Sequence, residues 1–399
     1  MTSRSRTRIA QVLAAAVLIS GICVTAATPA GAANAWVRRA APSPSANYNQ
    51  LQAVSCVTET VCTGVGTFLG NTGFKSLIVH TSDGVNWTRT PAPSPGGLLN
   101  ILLDVSCTSA MACTAVGTYA SGGDISNPDL RTLILRTTNG TTWARIPSPN
   151  PFGVPSELES VSCVTATKCR AVGDFGGNTL VLITSNGTSW FKQESPNRGD
   201  GANYLLSVDC ETTSACTAVG LYYNRPLDTE KARTLVLRTI DARTWIPVDS
   251  PNPSPNTSDT FLNDVSCSGT TCVAVGGVDP SPATKRSFIL RTTNGASWIR
   301  AATPTTTGET ELRGINCQSA TECTAVGIEW NAANTLFTGR LLRTTNGTAW
   351  ASPSPTSEKL GHRVNSVSCA IPVKCMAVGG FNATGNPGDT FKSLVLRET

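Results

Sequence analysis

Two series of residues with equal counts and different phases constrain this chain more than any other feature. Seven cysteines, Cys56, Cys107, Cys163, Cys210, Cys267, Cys317 and Cys369, each close a Val-Ser-Cys segment or a near variant, followed by a second Cys and by Ala-Val-Gly or a near variant. Seven tryptophans, Trp36, Trp87, Trp143, Trp190, Trp245, Trp298 and Trp350, end the copies, in most cases three residues after Asn-Gly or Asp-Gly. The first Trp precedes the first Cys, and no Trp follows the last hydrophobic run. An array offset in this way closes on itself if its N-terminal segment supplies the missing strand of the last repeat, which removes the free edges of an open array.

A period of about 50 residues fits a propeller or a solenoid. In the second copy, Leu102–Cys107, Cys113–Tyr119, Thr132–Thr138 and Thr141–Ile146 read as four short strands, and Pro147 and Pro149 end the pairing. Asn139-Gly140 reads as a two-residue type I′ hairpin turn. Four antiparallel strands make a propeller blade. The expected fold is all-β: a seven-bladed propeller of four-stranded blades over residues 36–399, closed by the strand around Trp36. A parallel β-helix is the rival, but its rungs are shorter and lack tight hairpins. Asp241-Ala242 replaces Asn-Gly in the fourth copy, and Ala disfavours positive φ, so a different turn type is expected there.

Residues 1–35 read as a secretory signal peptide. Arg4, Arg6 and Arg8 precede an apolar stretch from Ile9 to Ala27, and Ala33-Asn34-Ala35 fits the small-x-small cleavage rule, with Ala30-Gly31-Ala32 as the second choice. A retained anchor is the alternative; beyond this stretch no run reaches the length of a spanning helix. Cys23 follows Ile22, which argues against lipidation. Of 31 basic side chains, 28 remain after cleavage against 26 acidic ones. That balance excludes a nucleic-acid binder. The expected protein is secreted and extracellular, and monomeric.

The remaining cysteines form seven local pairs: Cys56/Cys62, Cys107/Cys113, Cys163/Cys169, Cys210/Cys216, Cys267/Cys272, Cys317/Cys323 and Cys369/Cys375. They read as disulfides between the first two strands of each blade, with Cα separations of about 4.4–6.8 Å. A metal site is not expected, because no two pairs adjoin and His80 and His362 are the only histidines; no cofactor is expected either. The Trp series reads as repeat packing, and the Gly of Ala-Val-Gly as backbone geometry. The small polar residues before each first Cys (Ser55, Ser106, Ser162, Asp209, Ser266, Asn316 and Ser368) read as a response to crowding at the axis.

At Thr81-Ser82-Asp83-Gly84-Val85-Asn86-Trp87 and Arg136–Trp143 the chain resembles the Asp-box hairpin of sialidase-like and photosystem II assembly-factor-type propellers. Ser82 and Thr138 stand where that motif has Asp. The longer pattern, with Pro-Ser-Pro after the Trp, resembles secreted actinobacterial repeat proteins without an assigned activity. The resemblance implies the fold. Catalytic sialidases carry an Arg-Ile-Pro motif near their start; here Arg145-Ile146-Pro147 falls in a repeated strand, so no catalytic residue carries over.

Strand alternation puts the short Cys-clipped and Asn-Gly turns on one face. The long second-to-third loops and the crossovers between blades lie on the other, which is where binding is expected. The candidate binding residues are Glu329 and Trp330 in the sixth blade, Tyr222, Tyr223 and Arg225 in the fourth, and His362 and Arg363 at the entry to the seventh. Trp330 lies outside the Trp series and has no role assigned by the repeat. A basic position before the third strand (Lys75, Arg131, Arg233, Arg286, Lys392) reads as edge protection, with attraction of anionic polymers as the alternative. The functional expectation is a non-catalytic binding propeller for carbohydrate, cell-wall polymer or extracellular protein. A glycan-cleaving enzyme is the alternative, with carboxylates drawn from Asp124, Asp129, Asp228, Glu230, Glu309, Glu311 and Asp389.

Overall fold

The computed structural model describes residues 35–399 apart from 124–127, 151–152, 226–230, 254–255, 281–283, 334, 354–360, 372–373, 383 and 385–388. The signal-peptide reading, Asp124, Asp228 and Glu230 therefore lie outside the described residues. Seven antiparallel sheets follow one another, and no α-helix occurs among the described residues. The first blade comprises β2 (Asn49–Cys56), β3 (Cys62–Gly70), β4 (Gly73–Thr81) and β5 (Thr88–Thr90) in spatial order. The seventh has β25 (His362–Ile371), β26 (Lys374–Phe381) and β27 (Lys392–Glu398), and its outer strand is β1 (Trp36–Arg39). Trp36 pairs with Glu398 and Arg39 with Val395, and the Thr399 N–H donates to the Ala35 carbonyl at 3.0 Å. The offset of the two series is thus the closure of the ring. In the sixth blade the outer strand is reduced to one antiparallel bridge, Arg343 with Ala351.

Seven hydrophobic cores each lie between two blades. Trp143 packs with Leu135 and Val105 of its own blade and with Val65 and Ile78 of the first. Trp298 meets Val219, Val236 and Val248 of the fourth. All seven Trp of the series are buried, and Trp36 is fully so. Every first strand bulges midway, between Leu51 and Ala53 in the first blade and between Leu158 and Ser160 in the third. Directly opposite the bulge sits the Ala-Val-Gly glycine. A Cβ on Gly66 would lie 2.0 Å from the Gln50 carbonyl oxygen, and the other six are as close to the equivalent oxygen. A side chain there would drive the two strands apart.

The seven cysteine pairs, Cys56–Cys62, Cys107–Cys113, Cys163–Cys169, Cys210–Cys216, Cys267–Cys272, Cys317–Cys323 and Cys369–Cys375, are all disulfide-bonded. Each joins directly opposed residues of the first two strands. Two features differ from expectation. The Cα separations are 4.0–4.1 Å, below the expected range and shorter than the roughly 4.5–5.5 Å of facing strand positions without a bridge. The two halves of each bridge are also not equivalent. The second cysteines, Cys62, Cys113, Cys169, Cys216, Cys272, Cys323 and Cys375, are all buried, and each belongs to one of the cores between blades. Cys216, Cys272, Cys323 and Cys375 are at most 3% exposed. They are core side chains, not parts of an accessible site. The first cysteines are only half-buried, except Cys267, which is buried as well. The cause is position: the second strand lies between two others, whereas the first is the inner edge of its sheet.

The third-to-fourth turns also depart from the sequence reading. The fourth strands begin after the Trp, as at Ala144–Ile146, and Asn139 does not share the positive φ of Gly140. A type I′ turn, which needs positive φ at both positions, is therefore absent. Instead the Asn139 side-chain oxygen accepts from the N–H groups of Thr141 and Thr142, at 3.0 and 2.8 Å. Asp241 does the same with Arg243 and Thr244, and Ala242 adopts a φ of 65°. The fourth blade keeps the common turn despite its Ala. The two hydrogen bonds hold the loop whatever residue follows the acceptor.

We expect Ala242→Gly to be neutral or to raise stability by up to about 1 kcal/mol in denaturant titrations, the relieved strain being offset in part by the freer unfolded chain. Trp36→Ala should lower stability by about 3–5 kcal/mol, as for other large buried side chains, with the outer strand of the seventh blade the first segment to lose hydrogen-exchange protection.

Candidate functional site

At the clipped end of the axis the residue before each first Cys accepts a hydrogen bond from the Cys N–H of the next blade. The seven bonds run Ser55–Cys107, Ser106–Cys163, Ser162–Cys210, Asp209–Cys267, Ser266–Cys317, Asn316–Cys369 and Ser368–Cys56, at 2.7–3.2 Å. A second tier lies one step inward: Asp104 accepts from Val161 N–H, Ser160 from Val208, Ser207 from Val265, Asp264 from Ile315 and Ser366 from Val54. These polar side chains are committed to holding blades together.

The loop-side mouth is built differently. The residue two before each first-strand bulge is Gln50, Ile101, Glu157, Tyr204, Phe261, Glu311 or Arg363, six residue types in seven blades. The bulged residues Gln52, Glu159, Asn263, Arg313 and Asn365 lie below them. Neighbouring blades touch through these side chains: Arg313 donates to Asn365 at 3.2 Å, Asn263 to Glu311 at 3.2 Å and Arg363 to Gln50 at 2.5 Å. The mouth is polarised. On one side Lys285, Arg313 and Arg363 are held among Asp279, Glu311, Gln50 and Tyr48.

On the other side stand three carboxyls of the third blade, Glu157, Glu159 and Asp174, with Glu157 directly opposite Asp174 across the strand pair. The other blades place Thr67, Thr118, Leu221, Gly277, Ile328 and Gly380 opposite the residue equivalent to Glu157. Burial pushes the Glu159 carboxyl up to about 8, helped by the charges of Glu157 and Asp174. Asp174 rises to about 7 through burial and Glu157, against a backbone bond from Gly177. Tyr204 borders this acidic side and Tyr223 lies near it; burial first raises both phenols, followed by Asp174 for Tyr204 and by Asp259 for Tyr223. No group of three or more His, Cys, Asp or Glu among the described residues is arranged to hold a metal ion.

The binding residues singled out from sequence divide into three groups. Tyr222 and His362 are buried, at 9% and 0% exposure, and serve packing: Tyr222 lies in the fourth-blade core, and His362 fills the space beside Gly339. Glu329 forms a 2.7 Å ion pair with Arg340, which occupies a core position where five other blades have Leu. Trp330 is half-buried against Phe337, with ring centroids 5.4 Å apart, in a cluster that continues through Phe391 to Tyr48. It therefore has a structural role, which the repeat did not assign because the cluster spans three blades. Tyr223, Arg225 and Arg363 remain at the loop face, half-buried, exposed and half-buried respectively. Glu157, Glu159 and Asp174 were missed. The signal was available in Ser156-Glu157-Leu158-Glu159, where acids alternate on a strand whose counterparts are mostly neutral.

The aromatic residue two after the Ala-Val-Gly glycine has a repeated partner of its own in four blades. A basic side chain two residues after the Trp covers it: Arg38 over Phe381, Arg89 over Phe68, Arg145 over Tyr119 and Lys192 over Phe175, 4.4–4.9 Å from the ring centres. The basic residues before the third strand bind locally: Lys75 donates to the Gly97 carbonyl and Arg131 pairs with Asp129.

Proton linkage follows from the axial carboxyls. Burial raises Asp104 and Asp209 to about 6 and Asp264 to about 7. A folded value above the unfolded one of about 3.9 contributes stability that is complete below pH ~4 and lost as pH rises through the folded value. Asp83 and Asp241 act oppositely: backbone N–H donors hold them well below the usual carboxylate range, so their contribution fades only in strong acid. The melting temperature should therefore fall from pH 5 to pH 8, and Glu159→Gln should flatten the upper part of that fall. A flat profile in the wild-type protein would contradict the assignment.

No protein-family model matches the chain, and no curated protein matches it. Solved structures do. YCF48 bound to a D1 peptide superposes with a TM-score of 0.56 at 12% identity, over 92% of this chain and 97% of that one. The GH74 xyloglucanase from Xanthomonas campestris gives 0.51 at 12% identity over 90% of this chain, and the Trypanosoma rangeli sialidase in complex with 2,3-difluorosialic acid gives 0.50 at 12% over 78%. This chain spans 55% and 56% of those two. At such identities the likeness is one of fold: the chain shares the propeller architecture of these proteins.

Proposed function

We propose that this chain is a secreted binding propeller that takes a carbohydrate, cell-wall polymer or extracellular protein on its loop face. The observation that carries the reading is the contrast between the two ends of the axis. At the clipped end, seven near-identical side chains are consumed by inter-blade hydrogen bonds. At the loop end, the same strands present Gln, Ile, Glu, Tyr, Phe, Glu and Arg, which form a mouth with one acidic and one basic side. Variable side chains on a rigid ring are how a repeated scaffold acquires specificity. Seven disulfides fit an oxidising compartment and support secretion. No helix among the described residues is long and apolar enough to cross a membrane.

The fold itself is neutral on the choice between binding and cleavage, since it carries a bound peptide in YCF48 and belongs to a xyloglucanase as well. One observation favours cleavage: the convergent carboxyls Glu157, Glu159 and Asp174. Glycoside hydrolysis uses one carboxyl held protonated and one held ionised. Here all three are displaced upward, Glu157 by burial and Glu159 and Asp174 by burial and then neighbouring carboxylates, and none of the three is in an ion pair among the described residues. That arrangement suits hydrogen bonding to hydroxyls or amines better than an acid–base pair.

A glycan, wall-polymer and peptide array probed with purified mature protein should return a ligand, and a parallel screen should find no cleavage products. Arg363→Ala and Tyr223→Ala should each weaken binding roughly tenfold, the scale of a lost hot-spot contact. Product release that disappears in Glu159→Gln would replace this reading with the enzymatic one.

A further inference from the structure

The fifth blade breaks two of the repeat's pairings at once, and a cleft opens where they fail. In most blades the crossover after the fourth strand carries Ser-Pro, often followed by Asn, and staples the start of the third strand. Ser148 and Asn150 bind Thr132, Ser195 and Asn197 bind Thr179, and Ser250 and Asn252 bind Thr234. After the fifth blade the crossover reads Ala301-Ala302-Thr303-Pro304-Thr305-Thr306, and the third strand is met only later, by Thr310 on the Ser287 N–H at 2.9 Å. The second break concerns Arg300. In the first, second, third and seventh blades its counterparts are basic and cover the aromatic ring two residues after the Ala-Val-Gly glycine, but the fifth blade has Val278 there. Arg300 lies instead 5.5 Å from the Phe288 ring centre and is exposed.

The result is a cleft of about 650 Å³ between the crossover and the third strand, lined by Arg286, Arg300, Ser287, Pro304 and a row of threonines. Sites for small ligands run from about 300 to 1,000 Å³. Arg286 holds the crossover through the Thr306 and Gly308 carbonyls, at 2.8 and 3.1 Å. Neither arginine is in an ion pair among the described residues. The buried hydroxyl of Ser287 has no hydrogen-bond partner among the described residues. The far wall is fixed from the next blade: Arg340, neutralised by Glu329, donates to the Pro304 carbonyl at 3.0 Å.

We propose that this cleft is a binding site for a sugar unit carrying an anionic group, a carboxylate or a sulfate. Two guanidinium groups supply charge and directed donors for an oxyanion. The hydroxyls of Thr303 and Thr305, half-buried and exposed on the cleft wall, offer both donors and acceptors to the sugar's own hydroxyls, which a cleft for an inorganic ion would not need. The inference rests on the reading of the loop and crossover face as the binding face, and it adds a peripheral subsite of defined chemistry.

The test is calorimetric titration of the mature protein with galacturonate oligosaccharides, sulfated galactan oligosaccharides and neutral galactan oligosaccharides of the same length. We expect binding of one or both anionic series and none of the neutral one, the two anionic arms showing which group the cleft prefers. Arg300→Ala, which touches no backbone, should weaken binding at least tenfold; Arg300→Glu should abolish it; and Arg145→Ala, at the equivalent position of the second blade, should leave it unchanged. Equal affinity for charged and neutral sugars, no binding of either anionic series, or affinity that survives Arg300→Glu would overturn the proposal. Loss of binding in Arg363→Ala with retention in Arg300→Ala would sink the cleft while leaving the loop-face reading intact.

Discussion

The propeller depends on a hydrogen bond repeated seven times around its axis, from the N–H of the first Cys of one blade to the side chain that precedes the corresponding Cys of the blade before it. Sheets packed face to face are otherwise held by apolar contact, which has no direction and permits sliding. A backbone donor near the axis, away from bulk water and unable to pair within its own sheet, requires an acceptor. Supplying it from the neighbouring blade fixes the register of that blade. Because the seventh link returns from Ser368 to Cys56, every blade is registered against two others and no link is terminal. The disulfide beside each bond pins the same strand to the second strand of its blade, so the two constraints together define the inner rim.

Where the repeat changes, compensation lies nearby, and this separates structural departures from free ones. In the third strand, Arg136 and Arg291 reach the clipped turn of the following blade, at the Ala166 and Ala320 carbonyls. The third blade has Ile183 at that position, and Arg170 from its second strand does the work instead, donating to the Thr213 and Ala242 carbonyls. The relocated arginine leaves a cavity of about 290 Å³ lined by Ile183 and Phe191, and it holds the carbonyl of the one described non-glycine residue with positive φ. Glu329 and Arg340 form a second such exchange. Arg300, by contrast, lies over the Phe288 ring instead of a second-strand aromatic, and it has no acidic partner among the described residues.

The sequence made the scaffold legible because each blade repeats the same solution, so a periodic residue announces a periodic contact. Blade number, closure by Trp36, the disulfides and the burial of the Trp series could all be read that way. The unequal burial of the two cysteines in each bridge could not, since the spacing marks a pair without saying which strand is enclosed by its neighbours. The turn at Asp241-Ala242 was equally hidden, because its geometry is set by side-chain acceptors rather than by the Asn-Gly pair itself. Nor could the loop residues be assigned. Trp330 and His362 look free because they break the pattern, yet both pack against elements distant in sequence. Glu157 and Glu159 look ordinary because they sit inside a repeated strand, and the sequence does not show that the register sets Glu157 opposite Asp174. Singularity in a repeat marks a residue with a local reason, and that reason can be packing as readily as recognition.

A sharper criterion follows from the physics. A departure that serves packing brings a partner with it, since a buried charge or a lost contact has to be balanced. A departure that serves a ligand leaves an account open in the isolated protein. Arg170, Glu329 and His362 are matched within the fold. Among the described residues, Glu157, Glu159 and Asp174 form no ion pair, and neither do Arg286 and Arg300 at the cleft. The unmatched groups lie in the third and fifth blades, on either side of the fourth with Tyr204 and Tyr223, rather than being scattered around the ring. Seven repeats sharing one stabilising contact can tolerate such a sector, because the register of those blades is held at the clipped end of the axis, away from the residues that vary.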